Sequence, residues 1–176
     1  MMNGSPINAR MIPSLFTLAN LFFGFLAILW TIDGNYRFAA GLIILAVLMD
    51  SMDGKVARKL SVSSDFGKEL DSLSDVVSFG VAPAILTYKV FLEGHLGYWG
   101  MFIAAAFALC GAVRLARFNV LNITTHFVGV PITFAGGFMS LLVLFHKTLP
   151  WFIYPISMLI LAFLMVSTFK VPKLGK

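Results

Sequence analysis

Between residues 50 and 75 of an otherwise oily chain, Asp50, Asp53, Gly54, Ala57 and Arg58 are followed by Gly67, Asp71 and Asp75. The four aspartates are half of the chain's eight acidic residues. The first five positions are separated by steps of three and four, so at about 100° per residue they share one face of a helix. Gly67, Asp71 and Asp75 are spaced four apart and form a second stripe, drifting about 40° per step, with its carboxylates roughly 6 Å apart along the axis. A short turn around 60–65 would bring the two stripes face to face and make four carboxylates converge. Gly54 and Ala57 leave the first stripe nearly bare, which permits close approach of a helix or a ligand.

An aspartate near the centre of a membrane helix costs about 2.5–3.5 kcal/mol on insertion scales, and four together repel one another. Divalent cations remove both penalties. Ligands that are all oxygen favour Mg²⁺, Mn²⁺ or Ca²⁺ over zinc. Two such ions about 4 Å apart form a clamp suited to in-line displacement at phosphorus, and Arg58 offers a grip on a phosphate oxygen. One helix-end aspartate among lysines is an ordinary interfacial ion pair; four at two coherent spacings point to a metal-bound phosphate. Asp65 is out of phase with the second stripe and is expected to be a helix N-cap.

The elements that must position these groups follow from composition. The 176 residues are 59% hydrophobic and 12% charged, where a soluble domain carries about 25% charged residues, and the mean hydropathy is +0.91. The expectation is an all-α, polytopic membrane protein, a single domain over 1–176, with six transmembrane helices near 12–32, 36–59, 69–92, 97–119, 130–146 and 150–169. The first span is too long for a signal-peptide core and has no small-residue cleavage site after Trp30, so it is expected to be retained. With the N-terminus inside, Arg10, Lys55, Arg58, Lys59, Lys68, Arg114, Arg117, Lys170, Lys173 and Lys176 gather on one side, against Arg37, Lys89 and Lys147 on the other. That asymmetry places both termini and the aspartates in the cytoplasm. It explains the net charge of +5 without a nucleic-acid partner and favours anionic lipid headgroups. The single Cys110 forms no internal disulfide, and His95, His126 and His146 have no metal-ligand spacing. Nothing here suggests a covalent intermediate, so direct displacement is favoured.

The complete pattern Asp-x-x-Asp-Gly-x-x-Ala-Arg-x8-Gly-x3-Asp-x3-Asp resembles the signature of the CDP-alcohol phosphotransferases, with every position present. Within that family the chain is most similar to the phosphatidylserine synthases, through the stretches at 64–83, 111–119 and 127–132. The resemblance implies transfer of a phosphatidyl group from CDP-diacylglycerol, or a related CDP-lipid, to the hydroxyl of L-serine with release of CMP. It implies that Asp50, Asp53 and Asp71 hold metal, as a pair of ions, and that Asp75 completes the metal site and accepts the hydroxyl proton. Gly54, Ala57, Arg58 and Gly67 would line the CDP site. A homodimer in a prokaryotic-type inner membrane is also implied. Glycerol phosphate or inositol phosphate are alternative acceptors. A cation transporter is the alternative of another class, disfavoured because the acids sit at one membrane face among Gly, Ala and Arg.

A serine site needs a fixed cation. Arg114 and Arg117 share a face at the cytoplasmic end of the fourth helix, with Asn119 beside them. They are candidates for the serine carboxylate or a lipid phosphate, against the plainer role of positive-inside flanking residues. Ser78 either meets substrate or bonds back to its own helix. Asn20 either meets the nucleotide or makes a helix-to-helix bond. Gly129 and Pro131 are expected to shape entry to the fifth helix, and Gly136 and Gly137 to allow close packing. Trp30, Trp99, Trp151 and Tyr154 are expected to be interfacial anchors at the outer side.

Overall fold

The computed structural model describes the backbone at 7–60, 64–121, 127–167 and 170–171, and side chains at 14–56, 64–120 and 129–167. Among the described residues six helices follow one another: α1 (Ile7–Ile32), α2 (Tyr36–Leu60), α3 (Asp65–Leu96), α4 (Tyr98–Leu121), α5 (Ile132–Leu144) and α6 (Ile153–Val166). Glycines with positive φ make two of the tight connections, Gly34 at +79° between α1 and α2 and Gly97 at +52° between α3 and α4. There an L side chain would be strained. A two-residue antiparallel ladder, β1 (Phe127–Val128) with β2 (Lys170–Val171), ties the α4–α5 connection to the segment after α6.

The all-helical, membrane-spanning expectation holds. α1, α3 and α4 are long and apolar enough to cross a bilayer. α5 and α6 are shorter than expected, with 13 and 14 residues, or about 20 Å each at 1.5 Å per residue. Proline bears on where both begin: α5 starts only after Pro131, its N-cap residue, and Pro150 precedes the turn that leads into α6. A proline fixes φ and offers no N–H to a helix continuing through it.

α3 is the central strut. Inside the bundle 61% of its span is buried, against 28% for α1 and for α4. Its start corrects one expectation: Ser64, not Asp65, is the N-cap. Ser64 is extended, at φ −133° and ψ 149°, and its hydroxyl accepts the Gly67 N–H at 3.0 Å. Asp65 is the first helical residue, exposed and 3.5 Å from Lys68. At the third residue of the helix, the capping hydroxyl satisfies an otherwise orphaned N–H.

Just after Asp75, α3 widens into a π-helical turn over Val76–Val81, and again over Tyr88–Leu92. The first widening has a local cause. Pro83 stands four residues beyond Phe79, and its ring would clash with that carbonyl in a regular α-helix. The Ala82 N–H bonds instead to the Val77 carbonyl, five residues back. The wide turn is gripped from two sides by glycines. A Cβ on Gly24 of α1 would lie 2.7 Å from Ser78 Cα, and one on Gly136 of α5 would lie 2.6 Å from Phe79 Cα. Gly137 packs more loosely, with Val47 3.3 Å from where its Cβ would be.

The core beneath is apolar: Phe79, Phe107, Leu86, Leu92, Ile43, Met139 and Met158 are fully buried. Tyr154 belongs to it, which corrects its expected role as an interfacial anchor. It is fully buried and stacks on Phe91. Trp99 and Trp151 are exposed, and Trp151 stacks on His95 with ring centroids 4.8 Å apart.

Candidate active site

The two acidic stripes do meet. α2 presents Asp50, half-buried, and Asp53, only 7% exposed; α3 presents Asp71, half-buried, and Asp75, also 7% exposed. One carboxylate oxygen from each of Asp50, Asp53 and Asp71 falls within 4.8 Å of the others. Asp75 stands outside that trio, one turn deeper, with its carboxyl beside that of Asp50.

Electrostatics favour a cation or a shared proton here. Two full charges 4.8 Å apart repel by roughly 3.5 kcal/mol at an effective dielectric constant of about 20. Neither ion pair formed among the described residues, Lys68–Asp65 or Lys89–Glu93, involves the four aspartates. Asp71 Oδ1 is shielded from solvent and has no hydrogen-bond partner. A buried carboxylate oxygen left without a partner costs energy unless a ligand or proton satisfies it. The donor set, all carboxylate oxygen, fits a hard divalent ion.

The remaining carboxylates have partners from outside the two stripes. Thr17 Oγ1 of α1 donates to Asp53 Oδ2 at 3.1 Å. Asn20 Nδ2, one turn further along α1, donates to Asp75 Oδ1 at 3.3 Å. Thr133, at the start of α5, lies against Asp50. Of these three, only Asn20 stands out in the sequence, as a candidate for a helix-to-helix bond. Thr17 carries a weak signal, three residues before Asn20 in an apolar run; Thr133 carries none.

Gly54 opens onto free space, with no atom within 4 Å of where a Cβ would stand, which leaves room beside Asp53 for a ligand. Gly67 has a local reason to be small, since a Cβ there would lie 3.1 Å from the capping Ser64 Oγ. Ala57 and Arg58 lie on the last turns of α2, and their side chains fall outside the described residues.

The expected acceptor residues separate. Arg114 is half-buried and faces Asp75 electrostatically. Its Nε is shielded from solvent without a hydrogen-bond partner. Arg117 is already used: its Nη1 donates to the Val166 carbonyl at 2.9 Å, capping the C-terminal end of α6. Asn119 Nδ2 donates to Ser72 Oγ at 2.9 Å, tying α4 to α3. Ser78 does neither of the things expected of it. Fully buried, it donates across helices to the Asn20 carbonyl at 3.0 Å.

A four-carboxylate cleft beside open space, with one unpaired guanidinium nitrogen nearby, can bind a metal-bound diphosphate and take up a proton. Comparison with known proteins agrees in kind. The family profile for CDP-alcohol phosphatidyltransferases matches residues 10–169. A Methanocaldococcus jannaschii protein named CDP-diacylglycerol–serine O-phosphatidyltransferase is 46% identical over 158 residues, 89% of this chain and 71% of that one. A Bacillus subtilis protein of the same name is 39% identical over 94% of this chain and 92% of its own length. The archaetidylserine synthase of Methanothermobacter thermautotrophicus is 40% identical over 98% of this chain and 75% of its own.

Proposed function

This chain belongs to the CDP-alcohol phosphatidyltransferase family, and we propose from that premise that it transfers the phosphatidyl group of CDP-diacylglycerol, or a similar CDP-lipid, to L-serine. The observation that carries the chemistry is the convergence of Asp50, Asp53 and Asp71 within 4.8 Å. The names of the bacterial and archaeal relatives support serine as the acceptor.

Asp50, Asp53 and Asp71, completed by Asp75, would hold two divalent ions, Mg²⁺ or Mn²⁺. Bound there, these would neutralise the diphosphate and the charge that develops on departing CMP. Gly54, with Ala57, Arg58 and Gly67 along the same edges, lines the CDP site. Asp75 accepts the proton of the serine hydroxyl as its oxygen bonds to the lipid-side phosphorus. The bond from that phosphorus to the oxygen bridging to CMP breaks, and CMP departs with the electron pair. Arg114 receives the serine carboxylate in this reading, which its buried and unpaired Nε supports. Arg117, Asn119 and Ser78 act instead through the helix contacts they already make.

The enzyme works as a homodimer in a cell membrane of prokaryotic type, with the acidic end and both termini in the cytoplasm. The positive-inside asymmetry supports this orientation. An acceptor panel tests the assignment. Purified protein with CDP-diacylglycerol, Mg²⁺ or Mn²⁺, and serine, glycerol phosphate or inositol phosphate is scored by product mass. Phosphatidylserine is the expected product; a phosphate-bearing product formed in preference would reassign the acceptor.

A further inference from the structure

Three of the buried hydroxyls among the described residues turn inward on their own helix. Thr31 donates to the Ala27 carbonyl at 2.7 Å, Ser74 to Leu70 at 2.8 Å and Ser140 to Gly136 at 2.9 Å. This is the ordinary way to satisfy such groups in an apolar setting. One stripe of α1 does otherwise. Thr17, Asn20 and Gly24 recur at steps of three and four, and every contact described above for them leads to another helix. Thr17 is 4% exposed and Asn20 fully buried. Their donors end on Asp53 of α2 and on Asp75 of α3 respectively.

We propose that Thr17 and Asn20 are positioning residues of the active site, each fixing one carboxylate of one acidic stripe from a helix that carries none of the acidic motif. The proposal rests on the functional reading above. A carboxylate has two oxygens and about four lone-pair directions, and a donor on one oxygen decides which directions remain for an ion or a proton. Thr17 donates to Asp53 Oδ2 and so limits the directions left on that carboxylate for an ion. Asn20 occupies Asp75 Oδ1, which holds the proton acceptor in place.

Asn20 is itself held. Its backbone carbonyl accepts the Ser78 hydroxyl at 3.0 Å, and Ser78 can come so close only because residue 24 is glycine. Gly24, Ser78, Asn20 and Asp75 therefore form one connected path from the wide turn of α3 back to the carboxylate just before it. Such outer partners orient ligand side chains, and their loss typically costs about 10- to 100-fold in metal affinity or activity.

The test uses the purified full chain in detergent, with Thr17→Val, Thr17→Ser and Asn20→Ala. Melting is recorded without divalent ion. Mn²⁺ binding is followed by electron paramagnetic resonance without substrate, and kcat and KM come from CMP release. Thr17→Val keeps shape and removes the donor. It is expected to melt like the parent and to bind Mn²⁺ about 10- to 100-fold more weakly, with Thr17→Ser restoring binding to within about threefold. Asn20→Ala is expected to lower kcat by about tenfold or more while KM for the CDP-lipid stays within about twofold. The proposal is overturned if Thr17→Val binds Mn²⁺ like the parent. It is equally overturned if Asn20→Ala raises KM alone, which would make Asn20 a nucleotide contact. Should Asn20→Ala not fold, Thr17→Val decides alone. A parent protein that neither binds Mn²⁺ nor releases CMP would instead sink the functional reading, and this inference with it.

Discussion

The two ends of the bundle handle buried polar atoms in opposite ways. At the acidic end, Thr17, Asn20 and Ser78 bond across helices, and the buried atoms left over are the amide oxygen of Asn20 and two atoms of charged groups, Asp71 Oδ1 and Arg114 Nε. At the other end Thr87 Oγ1 and the Tyr154 hydroxyl are also buried and unpartnered. There they are neutral, and Tyr154 lies in an aromatic stack with Phe91 inside the apolar core. An orphaned polar atom is therefore no mark of a site by itself. Convergent charge, a bare glycine face and a fixed network of donors make the difference.

The contrast breaks most visibly at Asp75. Asp75→Asn keeps shape but cannot take a proton, and CMP release is expected to fall by about 10²- to 10⁴-fold. Near-parental turnover would remove Asp75 as the proton acceptor. Packing comes next. Gly136→Ala drives a methyl into the Phe79 backbone and is expected to cost about 1–3 kcal/mol of stability or more. Gly54→Ala meets nothing, so it should melt like the parent and lose activity only through the CDP site. Thermal melting of both in detergent separates the two kinds of glycine.

A smaller effect distinguishes the two arginines. Arg117→Gln removes the cap on α6 and should lower stability by about 1 kcal/mol. Arg114→Gln should leave melting unchanged and raise KM for serine by roughly tenfold, the loss of one charge-assisted hydrogen bond. An unchanged serine KM would move the carboxylate site elsewhere. The smallest effect lies at the far end. Tyr154→Phe deletes an unpartnered buried hydroxyl and should leave CMP release unaltered, with melting unchanged or raised by up to about 1 kcal/mol. A fall in activity would join that end of the bundle to the chemistry.

Much of this was legible before any coordinates. The two acidic stripes are a matter of helical period, and period survives into the fold because α2 and α3 are long and continuous. Pro131 marks the start of α5 by backbone preference alone. What escaped depends on neighbours. Asp65 and Ser64 are equally good caps by type, and only the chain path chose Ser64. Tyr154 has the makeup of an interfacial residue, yet Phe91 offered it a stacking partner in the core. Thr17 and Thr133 look like filler until α1 and α5 are laid against the acids. The wide turn at Val76–Val81 had one visible cause, Pro83, whose effect falls several residues upstream.

That widened turn has a consequence for how the molecule tolerates change. By holding one residue more than a regular turn, it sets the angular phase of everything below it independently of the acids above. Deleting a single residue there would rewind the segment and swing the two halves of the rod by about 100° relative to one another. The carboxylates would then be aimed away from their partners although none of them had been altered. The bulge is thus a joint between two rotational settings, one dictated by chemistry and one by packing.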